Sequence, residues 1–205
     1  MLLNVNATRM EQLQLRRRLD LARRGHRLLS QKRDEISRRL VQVAADIRPL
    51  RRRVEQELLE TTRRFLMARA TMEPEDMRAA LAIPTKKFQL AVQFAGIMSV
   101  KVPQLVKEIA GDIVCYGFAT TSGELDIALR ALERAFDGLL ELAEKEKQAM
   151  LLATELQKTR RRVNVLEHVL IPNVQETIKY IAGKLGEAER DNASRLMKIA
   201  EMIRA

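Results

Sequence analysis

Residues 158–172 read Lys158-Thr159-Arg160-Arg161-Arg162-Val163-Asn164-Val165-Leu166-Glu167-His168-Val169-Leu170-Ile171-Pro172. Val163, Leu166 and Leu170 are spaced by 3 and 4, the apolar spacing of a helix that packs against another helix. Arg160, Arg161 and Arg162 fan around the same helix, because neighbours on a helix are about 100° apart. One segment therefore carries both a packing seam and a cationic collar. Pro172 removes one backbone hydrogen bond and predicts a bend rather than a stop, since the seam resumes at Ile178, Ile181 and Leu185.

Working outward, the same periodicity fills both ends of the chain. Thr8 and Glu11 form a capping box, so a helix should begin near Thr8. Ile36, Leu40, Val43, Ile47, Leu50 and Val54 alternate steps of 4 and 3. After Val54 the register slips to Leu58, Thr61, Phe65, Ala68 and Met72, a stutter that locally unwinds a coiled coil. Pro49 should bend this helix without ending it. A second capping box, Thr121 and Glu124, opens a helix with a seam at Leu125, Leu129, Leu132, Phe136, Leu139 and Ala143. That seam continues through Leu152, Leu156 and the quoted stretch to Leu196, Ile199 and Ile203. Helices this long need a packed apolar stripe to be stable. Folding back on each other gives each its partner.

The middle has a different texture. Pro74 followed by Glu75 and Asp76 starts a short helix that should end before Pro84. Phe88, Leu90, Val92 and Phe94 alternate with period 2, as a strand does. Residues 113–118, which follow Gly111 and include Gly117, are the expected partner strand. The fold class is therefore mainly α: a long antiparallel two-helix coiled coil with a small β-hairpin and short helix at the turn end. The expected divisions are 1–72, 73–120 and 121–205.

Composition agrees with long helices. Of 205 residues, 31% are charged and only 3% aromatic, with no Trp. The net charge is +10, and residues 1–72 hold all of that excess, with 18 Lys+Arg against 8 Asp+Glu. The single Cys115 excludes an internal disulfide and a multi-thiolate metal site. There is no apolar run of membrane-spanning length and no secretory leader pattern at Met1, so a soluble, cytoplasmic chain is expected.

A catalytic site is not legible. No GxxxxGK[ST] phosphate loop occurs, and Gly111, Gly117 and Gly123 read as turn formers. His26 and His168 lack further ligands at metal spacing. Glu133, Glu141 and Glu144 read as solvated helix-face charges. Binding chemistry remains, in Arg16-Arg17-Arg18, Arg23-Arg24, Arg51-Arg52-Arg53, Arg63-Arg64 and Arg160-Arg161-Arg162. Such clusters suit a solvated coiled-coil face, a scaffold, or a nucleic-acid-binding rod. The last lacks the interleaved aromatics that stack on bases.

The chain also resembles the central-shaft family, the D subunits, of V/A-type rotary ATPases. The resemblance lies in residues 158–172, in Asn4-Val5-Asn6-Ala7-Thr8-Arg9-Met10, in Arg24-Gly25-His26 with Leu28-Leu29, and in Ile97-Met98-Ser99-Val100-Lys101-Val102-Pro103. Ala7 replaces a usual proline and Val165 a usual alanine. The resemblance implies a non-catalytic rotor in ATP-coupled proton or sodium transport, with no cofactor and no metal. It implies as partners the catalytic A and regulatory B subunits, the small F subunit of the central stalk and the C subunit that forms the membrane-side socket. It implies no nucleic acid and no direct membrane insertion. It implies that Arg9, Arg16, Arg17, Arg24, Arg160, Arg161, Arg162 and Asn164 face the A/B hexamer. Phe88, Phe94, Val100, Lys101 and Phe136 are implied to face the F subunit or the membrane side.

Overall fold

A computed structural model describes residues 5–82, 84–98, 100–117 and 121–204. Asn4, Ser99 and Phe118, which figure in the motifs and strand expected above, lie outside them. The order is α1 (Arg9–Thr71), α2 (Pro74–Ala82), β1 (Lys87–Ile97), β2 (Val100–Ala110), α3 (Gly123–Val165), a π-helical turn (Leu166–Leu170) and α4 (Ile171–Arg204). The expected fold class is found: a long helix at each end of the chain and a two-stranded antiparallel hairpin between them. Two compact units divide the chain. One combines Met1–Glu35 with Leu156–Ala205, and the other is Ile36–Glu155.

In the first unit, α1 runs antiparallel to the end of α3, the π turn and α4. Arg9 pairs with Glu189, and His26 Nε2 lies 3.4 Å from Glu167 Oε2. Between them Leu15, Val174 and Ile181 are buried, and Val5, Leu19, Leu170, Ile178 and Leu185 pack around them. Each fully buried aliphatic side chain contributes roughly 1.5–3 kcal/mol relative to exposure. Thr177 is also buried, and its hydroxyl donates to the Asn173 carbonyl at 2.7 Å, so its polar atom is not stranded. The helix begins as the capping box requires, with the Glu11 N–H donating to Thr8 Oγ1 at 3.2 Å.

Pro172 acts through the turn before it. In an α-helix its ring would collide with the carbonyl of residue 168. Here Leu166–Leu170 widen into a π turn, with the Ile171 N–H bonded to the Leu166 carbonyl. The wider turn accommodates the ring, and the helix continues. Beyond residue 189 the expected seam has no counterpart among the described residues of the unit. Leu196, Ile199 and Ile203 are exposed.

In the second unit, α1 and α3 are again antiparallel. Arg51 pairs with Glu146, Val54 faces Gly138 and Arg64 reaches Glu124. The α1 seam is as expected: Ile36, Val43, Val54, Ala68 and Met72 are buried, and the stutter residues Leu58, Thr61 and Phe65 are half-buried. The α3 seam differs. Leu125, Ala128, Ala131, Ala135 and Gly138 form the buried stripe, while Leu132 and Phe136 are exposed. Small residues let the two backbones come close; a Cβ built on Gly138 would sit 2.9 Å from Val54 Cγ2. The larger Leu129, Leu132 and Phe136 lie one position around and serve the hairpin.

Two further corrections concern caps and strands. Ser122, not Thr121, caps α3: its hydroxyl accepts the Glu124 N–H at 3.3 Å, while the Thr121 hydroxyl donates to the Gly117 carbonyl. The partner of β1 is β2, which follows at once, and residues 113–117 are irregular. Met98 adopts φ 50°, the left-handed conformation that tight hairpin turns demand. Pro103 masked β2 in the sequence. In a two-stranded sheet both strands are edges, so a proline facing outward costs no ladder bond. Gly111 ends β2 at φ 92°, with its α-carbon so close to Thr85 that a Cβ would lie 2.5 Å from the Thr85 carbonyl oxygen.

Candidate functional site

The candidate surfaces fall one to each unit. In the first, Arg16, Arg17 and Arg18, then Arg23, Arg24 and Arg27, ride on the solvent side of α1 while Leu15 points inward. Arg160, Arg161 and Arg162 are exposed on α3, with Asn164 beside them, and Val163 alone turns in. His26 meets Glu167, so the Arg24–Arg27 turn lies at the level of the π turn. The arginine collar is five to seven residues from Glu167, about 10 Å along the helix. None of these nine arginines has an acidic partner among the described residues. Arg9 differs, being paired with Glu189.

In the second unit some of the clustered arginines are paired, while others, Arg52 and Arg63 among them, have no acidic partner among the described residues. Arg51 is held charged chiefly by its hydrogen bond to Glu146, Arg53 by Glu57, and Arg64 by Glu60 and then Glu124. Exposed pairs of this kind add little to stability. Their effect is to cancel charge at the surface.

The hairpin is fastened to α3 by acids that include two, Glu133 and Glu144, expected from the sequence to be solvated. Glu133 pairs with Lys86, Asp137 with Lys107, and Glu144 Oε2 accepts the Leu105 N–H at 3.3 Å. The signal was present: steps of 4 and 7 place these three acids on one helix face. Phe88 and Phe136 pack edge to face at 4.8 Å and 87°. Two of the residues expected to bind partners thus root the hairpin, each 38% exposed. Phe94, 70% exposed, and Lys101 project from the hairpin, and Val100 is half-buried at its turn.

Below the hairpin an apolar groove of about 310 Å³ is lined by Leu81, Phe88, Ile109, Ile113, Leu132 and Phe136, among others. Tyr116 lies at its wall and donates to Asp126 Oδ1 at 2.6 Å. Burial first, and then the Asp126 carboxylate, push its phenol well above the ordinary value. Among the described residues no three His, Cys, Asp or Glu side chains cluster as metal ligands would. No described helix is long and apolar enough to cross a membrane.

The sequence matches known proteins along nearly its whole length. The family model described as the D subunit of ATP synthase matches residues 11–201. The chain is 47% identical over 206 residues to the V-type ATP synthase D subunit of Acetivibrio thermocellus, covering 98% of this chain and 93% of that one. It is 46% identical over 204 residues to the protein of the same name from Thermoanaerobacter sp., covering 98% of each. The Fusobacterium nucleatum protein of that name is 45% identical over 204 residues, 98% of this chain and 97% of its own.

Proposed function

Because the chain belongs to the ATP synthase D-subunit family and so is a component of a rotary ATPase, we propose that it is the central shaft, transmitting torque between a catalytic hexamer and a membrane ion-carrying ring. Clustered in the first unit, the nine arginines named above, none with an acidic partner among the described residues, carry this reading. Arginine keeps its charge everywhere and binds carboxylates with two parallel hydrogen bonds. A charged surface left unmatched within the chain is suited to acids on surrounding subunits. Contacts that differ with rotor angle bias the open and closed states of those subunits, as differential binding must.

In this reading Arg16, Arg17, Arg24, Arg160, Arg161, Arg162 and Asn164, with Arg9 at the edge, face the catalytic A and regulatory B subunits. Phe94, Val100 and Lys101, with the Phe88–Phe136 root, face the F subunit of the central stalk or the C subunit of the membrane-side socket. ATP chemistry resides on the partner subunits. The chain works in the cytoplasm, peripheral to the membrane, and is held there by those partners.

The test replaces Arg160, Arg161 and Arg162 with glutamine in the reconstituted complex. Circular dichroism should be unchanged, because all three are exposed. Coupled ion transport per ATP should fall. Unchanged coupling with a folded variant defeats the reading. Salt-sensitive DNA retention by a chain that ignores the ATPase subunits would replace it with a nucleic-acid-binding rod.

A further inference from the structure

We propose that the outer edge of β1 receives an extended strand from another subunit of the complex. The inference rests on the reading of this chain as one component of a larger assembly. Its first support is hydrogen-bond parity. In an antiparallel pair, residues alternate between those that exchange bonds with the partner strand and those whose N–H and C=O point away from it. The Leu105 N–H donates to Glu144, so Leu105 and its opposite number Val92 are of the outward kind. Phe88, Leu90, Phe94 and Gly96 share the parity of Val92. The sheet has two strands only, and none of these five N–H groups meets an acceptor among the described residues.

The two edges of the hairpin are not alike. The edge of β2 is closed to pairing: Pro103 has no N–H to offer, the Leu105 N–H is taken by Glu144, and Lys107 is tied to Asp137. The edge of β1 has none of the devices by which proteins blunt such edges. It runs 11 residues without proline, its only charge is Lys87 at the end, and nine of the 11 are exposed. Leu90, Val92 and Phe94 are 44%, 50% and 70% exposed along it. A long, exposed, apolar edge is a template for strand addition, in which main-chain bonds give affinity and alternate side chains give specificity.

Charge selects the occupant. Lys87, at the start of β1, has no acidic partner among the described residues. A second copy would bring a β1 with no carboxylate. The edge instead fits an extended segment of alternating apolar side chains with an acidic residue near the Lys87 end.

Hydrogen exchange tests this on the full chain, free and in the reconstituted ATPase complex. The amides of Phe88, Leu90, Val92 and Phe94 should slow by about tenfold or more on assembly, while Gln89, Ala91 and Gln93 are already protected in the free hairpin. Val92→Pro removes an outward donor and no ladder bond, so it should leave the hairpin folded and weaken retention of the chain in the complex. A chain that joins the complex with those amides unprotected overturns this inference alone. Protection that appears in the free chain with rising concentration also overturns it, in favour of a second copy. A chain that fails to join overturns both this inference and the shaft reading.

Discussion

Gly138→Ala tests how close the two long helices come in the second unit. On an isolated helix this change stabilises by about 1 kcal/mol, since glycine is the poorer helix former. Here the new methyl would sit 2.9 Å from Val54 Cγ2 and 3.3 Å from Glu57 Oε2. Carbon atoms settle at about 3.5–4.0 Å, so the helices or Val54 must yield by well over half an ångström. Val54 is buried and β-branched, with essentially one rotamer in a helix, and cannot swing aside. Overpacking of this kind costs about 1–3 kcal/mol. The net expectation is a loss of about 1 kcal/mol, or roughly 2–4 °C in Tm for a chain of this size. Gly183→Ala, on α4 with nothing within 4 Å, carries the same propensity gain without the contact and should raise Tm. Urea and thermal unfolding followed by circular dichroism would measure both. Val54→Ala in the Gly138→Ala background should recover about 1 kcal/mol relative to the sum of the single effects. A Gly138→Ala protein more stable than its parent, with effects additive to those of Val54→Ala, refutes the close approach.

Three other substitutions follow from particular contacts. Ile181→Ala empties the centre of the Leu15–Val174 cluster and should cost about 2–5 kcal/mol in urea unfolding. Gly111→Ala combines φ 92° with a methyl placed against the Thr85 carbonyl, and should lose about 2 kcal/mol or more, whereas Gly117→Ala, with open space around it, should be near neutral. Tyr116→Phe leaves Asp126 without its phenol donor and should cost about 1–3 kcal/mol near neutral pH. The Tyr116 pKa is raised on folding, so its contribution is complete below the unfolded value of 10.0 and is lost only as pH rises through the higher folded value. Unfolding of parent and Tyr116→Phe compared across alkaline pH should show a gap constant to about pH 10 that closes above it. A gap that closes below that point would contradict the placement of the phenol.

What lay in the sequence was whatever neighbours within one turn encode. The Thr8 cap, the α1 seam through its stutter, the start of α2 at Pro74 and the alternation of β1 all rest on residues a few positions apart. The motifs that carry the family resemblance are equally local. What needed the tertiary structure was every choice between two locally acceptable partners. α3 carries two stripes, one of alanines with Gly138 and one of leucines with Phe136, and periodicity alone favours the larger side chains. Only the meeting with Val54 gives the small residues the helix contact and turns the large ones to the hairpin. Glu133 and Glu144 look solvated until the fold delivers Lys86 and the Leu105 N–H to them, and the same fold brings Lys107 to Asp137. Pro103 looks like a strand breaker until the sheet proves to have two edges and no centre. Periodicity is a property of one segment, whereas close approach and charge matching depend on which second segment arrives.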